Sequence, residues 1–113
     1  MPRLVYMGTP DIASQILEKL CSEGYRPELV VTQTAKAQGR GQKIEKSNVG
    51  KTAEKLGLSV IETDNVSSGP ALEAVQKAKP DVILVVAFGQ ILRDSILSLP
   101  KIACLNVHAS LLP

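Results

Sequence analysis

Residues 81–87 read Asp-Val-Ile-Leu-Val-Val-Ala, bounded by Pro80 before and by Phe88-Gly89 after. No other stretch constrains the fold as strongly. A half-buried strand alternates apolar and polar residues, and this run does not. A short, β-branched run that is apolar at almost every position suits a strand covered on both faces, as at the centre of a parallel sheet. Parallel strands need long crossover connections, so helices must lie between them.

The rest of the chain fits that demand. Residues 3–7 form a first short apolar strand. Gly8-Thr9-Pro10-Asp11 then turns into a helix that Thr9 can cap, with Pro10 at the first helical position and Asp11 at the positive end. Ile12, Ile16, Leu17, Leu20 and Cys21 make one stripe on that helix, and Gly24 stops it. Residues 28–33 are a second strand and residues 34–48 a polar loop. A helix is expected near 49–56, a strand over 58–62 and a turn over 63–70. A further helix spans 71–79, with Leu72, Val75 and Ala78 inward. After the 81–87 strand come a short helix near 91–97 and a fifth strand over 102–107. The expected class is α/β, a Rossmann-like doubly wound parallel sheet with right-handed crossovers, incomplete at its C-terminal edge.

Composition matters where it removes function classes. Aromatic residues are 3% of the chain, too few for stacking nucleic acid bases to be its main business. Cys21 and Cys104 are far apart in apolar contexts and read as buried, reduced thiols, which leaves no disulfide framework and no metal site. No apolar stretch is long enough for a signal peptide or a membrane span, and a cytoplasmic location is the default expectation. Charge is unevenly distributed. Residues 35–55 hold six basic and two acidic residues, net +4, while the remainder holds seven basic and nine acidic. A flexible cationic loop carrying Arg40, Gly41 and Lys43 suits a phosphate backbone, and equally describes an ordinary solvated loop.

The candidate chemistry lies at strand ends. In an open parallel sheet, ligands sit beyond the carboxyl ends of the strands. Asn106 and His108 fall there on the fifth strand, Ala87-Phe88-Gly89 on the fourth, and Gly8-Thr9-Pro10 on the first. His108 is the chain's single imidazole. An imidazole moves protons near neutral pH, and an asparagine amide can donate to a developing oxyanion. Two residues apart on a strand, they point to one side. A structural histidine at a strand end is the plain alternative. The Gly-Thr-Pro turn lacks further glycines of a nucleotide fingerprint, but its amides could hold an anion.

Four segments together resemble one family, the formyltransferases that use 10-formyltetrahydrofolate. They are Leu105-Asn-Val-His-Ala-Ser-Leu-Leu-Pro113, Met7-Gly-Thr-Pro-Asp-Ile-Ala-Ser14, Val85-Val-Ala-Phe-Gly-Gln-Ile-Leu92 and the loop over residues 31–43 with its Gly39-Arg40-Gly41-Gln42-Lys43. The loop is similar to that of the branch acting on initiator methionyl-tRNA. It departs from the family at Thr34-Ala35-Lys36-Ala37 and at Ser47-Asn48-Val49-Gly50-Lys51. The resemblance implies formyl transfer from the folate to the amino group of methionyl-initiator-tRNA, for translation initiation. It implies catalytic roles for Asn106 and His108. Cofactor binding would fall to Phe88, Gly89, Gln90, Ile91 and Leu92, with Ser110, Leu111, Leu112 and Pro113. The substrate side would involve Gly8, Thr9, Pro10, Arg40, Gly41 and Lys43. The family's third catalytic residue is an aspartate beyond the Ser-Leu-Leu-Pro segment. Residues 1–113 are thus expected to be the N-terminal part of a catalytic domain, without the rest of that domain or a C-terminal tRNA-binding domain, and inactive alone. A formyltransferase acting on a nucleotide or sugar-nucleotide amine, and a non-catalytic folate-binding domain of the same fold, remain the alternatives.

Overall fold

The computed structural model describes residues 2–38 and 43–107, with backbone only over 36–38 and 43–45. Its main sheet uses β1 (Leu4–Gly8), β2 (Leu29–Gln33), β5 (Val60–Thr63), β6 (Val82–Val86) and β7 (Ala103–Val107). The strand order is β5-β2-β1-β6-β7, and every neighbouring pair is parallel. The chain starts at the centre with β1 and moves outward through β2 to β5. It then returns past β1 to β6 and β7. That reversal puts a topological switch point between β1 and β6, where an open α/β sheet splays its connecting loops apart.

The crossovers divide the helices between the two faces. α1 (Asp11–Ser22) and α2 (Asn48–Lys55) cover one face, and α3 (Gly69–Ala78) and the single turn α4 (Asp94–Leu97) the other. Strand alternation divides the core in the same way. Val5, Met7, Val31, Ile83 and Val85 pack with Ala71, Val75, Phe88 and Ile96. Tyr6, Val30 and Val86 pack with Ala13 and Leu17 of α1 and with Val49 and Ala53 of α2. All these apolar side chains lie at 6% exposure or less, so the two clusters are the core.

Several local expectations change. Pro10, not Thr9, is the N-cap residue of α1, with no side-chain cap bond. The Thr9 hydroxyl has a distant partner instead, described below. The buried residues of α1 are Ala13, Ser14 and Leu17, while Ile16, Leu20 and Cys21 are only partly covered. Ser14 is tolerated inside because its hydroxyl hydrogen-bonds that of Thr52 on α2. The polar loop contains an antiparallel hairpin, β3 (Lys36–Gln38) paired with β4 (Lys43–Glu45). Ser47 caps α2 by accepting from the Gly50 N–H at 2.9 Å, which starts that helix at Asn48. The expected helix near 91–97 shrinks to one turn.

Coverage of β6 is also uneven. Val82 and Leu84 are half-buried. With Leu4, Leu20, Tyr25 and Leu105 they line an open groove of about 300 Å³. Cys21 and Cys104 are free and half-buried rather than fully buried. Burial pushes both thiols up; nearby Arg26 partly offsets this at Cys21.

Candidate active site at the carboxyl edge

The carboxyl ends of β1 and β6 pair directly, Gly8 opposite Val86. A side chain at Gly8 would put its Cβ 2.8 Å from the Val86 carbonyl oxygen and 2.7 Å from Ala13 Cβ. Glycine is therefore what lets β1, β6 and the start of α1 close together at the switch point. Thr9 follows. Its hydroxyl donates to the Phe88 carbonyl at 2.9 Å, and its own carbonyl accepts from the Val49 N–H of α2 at 3.3 Å. Pro10 is exposed and caps α1.

After β6 the backbone turns sharply. Ala87 and Gly89 both have positive φ, 49° and 86°. A left-handed alanine costs about 1–2 kcal/mol, so other contacts must hold it there. The Phe88 ring between them is 2% exposed and belongs to the core. Its carbonyl accepts from Thr9 and, also at 2.9 Å, from the Gln33 side-chain amide. Gln90 engages both ends of its own amide: Oε1 accepts from the Val66 N–H at 3.0 Å, and Nε2 donates to the Thr63 carbonyl at 2.8 Å. The Ser67 hydroxyl accepts from the Arg93 N–H, and the Ser67 carbonyl accepts from the Ser95 hydroxyl. The loops after β5 and β6 are thus tied into one unit. Ile91 projects from that unit at 82% exposure, while Leu92 leans against the core.

Asn106 lies on β7 opposite Val85 and is exposed. Strand alternation puts it on the face shared with Cys104, the same face as Phe88. The structure therefore gathers Thr9, the 87–92 loop and Asn106 at one edge. Lys43 opens β4 opposite Gln38, on the hairpin that follows β2. His108, Ser110, Leu111, Leu112, Pro113, Arg40 and Gly41 lie outside the described residues. Gln33, Thr63 and Ser67 were missed by sequence reasoning. Gln33 and Thr63 each end a strand at the carboxyl edge, and that position was the available signal.

Comparison with known proteins follows from this geometry. A family model described as formyl transferase matches residues 2–113. The chain is 42% identical over 111 residues to the methionyl-tRNA formyltransferase of Thermotoga maritima, covering 98% of this chain and 36% of that protein. It is 45% identical over 112 residues to the methionyl-tRNA formyltransferase of Caldanaerobacter subterraneus, with the same coverages. The chain thus spans about a third of the length of these relatives. Among solved structures it resembles glycinamide ribonucleotide transformylase 1 from Symbiobacterium toebii, with TM-score 0.68 at 20% identity over 100% of this chain and 54% of that one. The corresponding enzyme from Geobacillus kaustophilus gives 0.67 at 18%, over 100% and 61%. At such identities the likeness is one of fold.

Proposed function

The chain belongs to the formyl transferase family, and from that premise we propose that it serves the transfer of a formyl group from 10-formyltetrahydrofolate to the amino group of methionyl-initiator-tRNA. The observation that carries this reading is that Thr9 and the 87–92 loop are joined at the switch point between β1 and β6, with Asn106 at the same carboxyl edge on the neighbouring β7. The names of the relatives support the choice of tRNA as acceptor.

The folate donor fits the loop in chemical terms. Gly89 has a left-handed backbone and Ile91 presents an apolar side chain outward. Residues 88–92 together offer apolar surface and peptide groups to a flat, hydrogen-bonding pterin. The amine nitrogen of methionine attacks the formyl carbon, and negative charge develops on the formyl oxygen. The Asn106 amide donates a hydrogen bond to that oxygen. His108 takes the proton that the attacking amine loses. The bond from the formyl carbon to the folate nitrogen then breaks, and that nitrogen accepts a proton. Ser110, Leu111, Leu112 and Pro113 complete the donor side in this reading. Arg40, Gly41 and Lys43, in the basic stretch of sequence after Gln33, meet the tRNA backbone in this reading. Gly8 and Pro10 shape the turn that faces the acceptor.

The test is formyl transfer by the intact protein, with methionyl-initiator-tRNA and a ribonucleotide amine as competing acceptors. Transfer to the tRNA supports the reading; transfer only to the nucleotide amine overturns the acceptor. Replacing Arg40 and Lys43 together is expected to reduce the salt slope of tRNA binding by about one to two phosphate contacts. An unchanged slope would leave the hairpin as solvated surface.

A further inference from the structure

The Phe88 carbonyl, at the carboxyl edge, accepts two side-chain hydrogen bonds. A carbonyl oxygen has two lone pairs, and here one accepts from Thr9 and one from Gln33. The two donors come from different strands. Thr9 follows β1, the neighbour of β6. Gln33 ends β2, which lies two strands from β6, a span of about 10 Å across a sheet. Only a long side chain covers that distance, and the polar group must be a donor, because its target is a carbonyl. Glutamine meets both conditions; serine, threonine and asparagine are too short, and glutamate offers an acceptor.

The neighbouring residues are adapted to this reach. Gly89 combines positive φ with a second requirement: a Cβ there would collide with the Gln33 amide. Ala87, on the other side of the carbonyl, is held in the left-handed region. Phe88 is thus flanked by two left-handed residues, and its carbonyl is clamped by two side-chain donors. A buried ring beneath it prevents rotation. Such a conformation persists only where its surroundings over-determine it.

The geometry points to Gln33 as a positioning residue for the formyl donor: by holding the Phe88 carbonyl, it sets the course of residues 89–92 so that they present one fixed face to a folate. This rests on the proposed function and adds to it a residue that touches neither the folate nor the reacting atoms. It also gives the loop after β6 a support from the strand that leads into the basic hairpin.

The experiment compares the intact wild-type protein with Gln33→Glu, Gln33→Leu and Gln33→Asn. The probe is binding of 5-formyltetrahydrofolate, a stable folate, followed by steady-state formylation. At pH ~8, Gln33→Glu sets an ionised carboxylate against a carbonyl, and its folate affinity should fall roughly tenfold, as when the partner of a partly buried hydrogen bond is replaced by a repelling group. The loss should appear in the KM for folate, with kcat and the KM for tRNA much less affected. A carboxylate facing a carbonyl with no donor to it is disfavoured, which raises its pKa above the ordinary ~4.3, so as pH falls toward ~5 the carboxyl gains a proton, can donate again, and affinity should recover toward wild type. Gln33→Leu should lose affinity to a similar extent and show no such recovery. Gln33→Asn, too short to reach, tests the same point if the other variants fold poorly. Equal folate affinity in all folded variants at both pH values would overturn the positioning role. A wild-type protein that does not bind the folate would instead overturn the functional reading beneath it.

Discussion

The two ends of the sheet are built differently. At the amino end, backbone bonds close the turns: Asp81 N–H to the Arg3 carbonyl, Ile102 N–H to the Asp81 carbonyl and Glu28 N–H to the Leu4 carbonyl, each 2.8 Å. Two bonds from Arg3 add to them, its N–H to Asp81 at 2.8 Å and its Nε to the Ala78 carbonyl at 2.7 Å. The left-handed non-glycine there, Lys79, ends α3, where helices often finish that way. At the carboxyl end, side chains do the tying: Thr9, Gln33, Gln90 and Ser67 all bond to loop backbone. The left-handed Ala87 there ends no helix. The amino end keeps the strands together, whereas the carboxyl end holds a costly loop shape that stability alone does not require. Substitutions at the two ends should therefore report in different assays.

The largest effect is expected at the carboxyl end. Asn106→Ala should lower kcat/KM by about 3 kcal/mol, as loss of one oxyanion donor does, with the unfolding midpoint nearly unchanged because the side chain is exposed. Near-wild-type formyl transfer, or a large drop in stability, would break the contrast. Gly8→Ala tests the contrast at the same carboxyl end, at a packed backbone position where stability is expected to respond. A Cβ meeting the Val86 carbonyl should cost about 2 kcal/mol by overpacking. Denaturant titration would show this, and a neutral result would mean that the turn can relax. At the amino end, Asp81→Ala removes the acceptor for the Arg3 N–H and should cost about 1 kcal/mol. Its turnover should match wild type, and a clear loss of activity there would mean that the two ends are coupled.

An effect as small as that of Asp81→Ala lies between the ends. Burial pushes the Tyr6 phenol up, and it donates to the Ala13 carbonyl at 2.6 Å. The folded protein therefore keeps the proton where the unfolded chain loses it, above pH ~10. That stabilisation is complete below the unfolded value and declines as pH rises beyond it. Tyr6→Phe should cost about 1 kcal/mol near neutral pH and flatten the alkaline part of the stability profile. An identical alkaline slope in the two proteins would assign it to other groups.

Much of the fold was legible because each signal was local. The run at 81–87 became β6, shortened to Val82–Val86, since an unbroken apolar stretch has few other solutions. Pro80 and Gly24 bound their elements through backbone chemistry carried by single residues. The edge that holds Thr9, the 87–92 loop and Asn106 was legible too, because strand direction alone places those segments at one end of a parallel sheet.

What the sequence by itself determined was which segments form the strands of the main sheet, that these run parallel and which of their ends is expected to face a ligand; it did not show the short β3–β4 hairpin. Only the tertiary structure decided the strand order, with its reversal between β1 and β6. It also decided the partner of Thr9, which local rules assign to a helix cap and the fold assigns to Phe88. The reach of Gln33 across β1 belongs to the same class. The physical reason is sequence separation. Thr9 and Phe88 are 79 positions apart, and Gln33 and Phe88 are 55. A hydroxyl or an amide carries no local mark of which distant carbonyl it will meet. That choice is made only when the sheet assembles and brings one acceptor within reach of both donors.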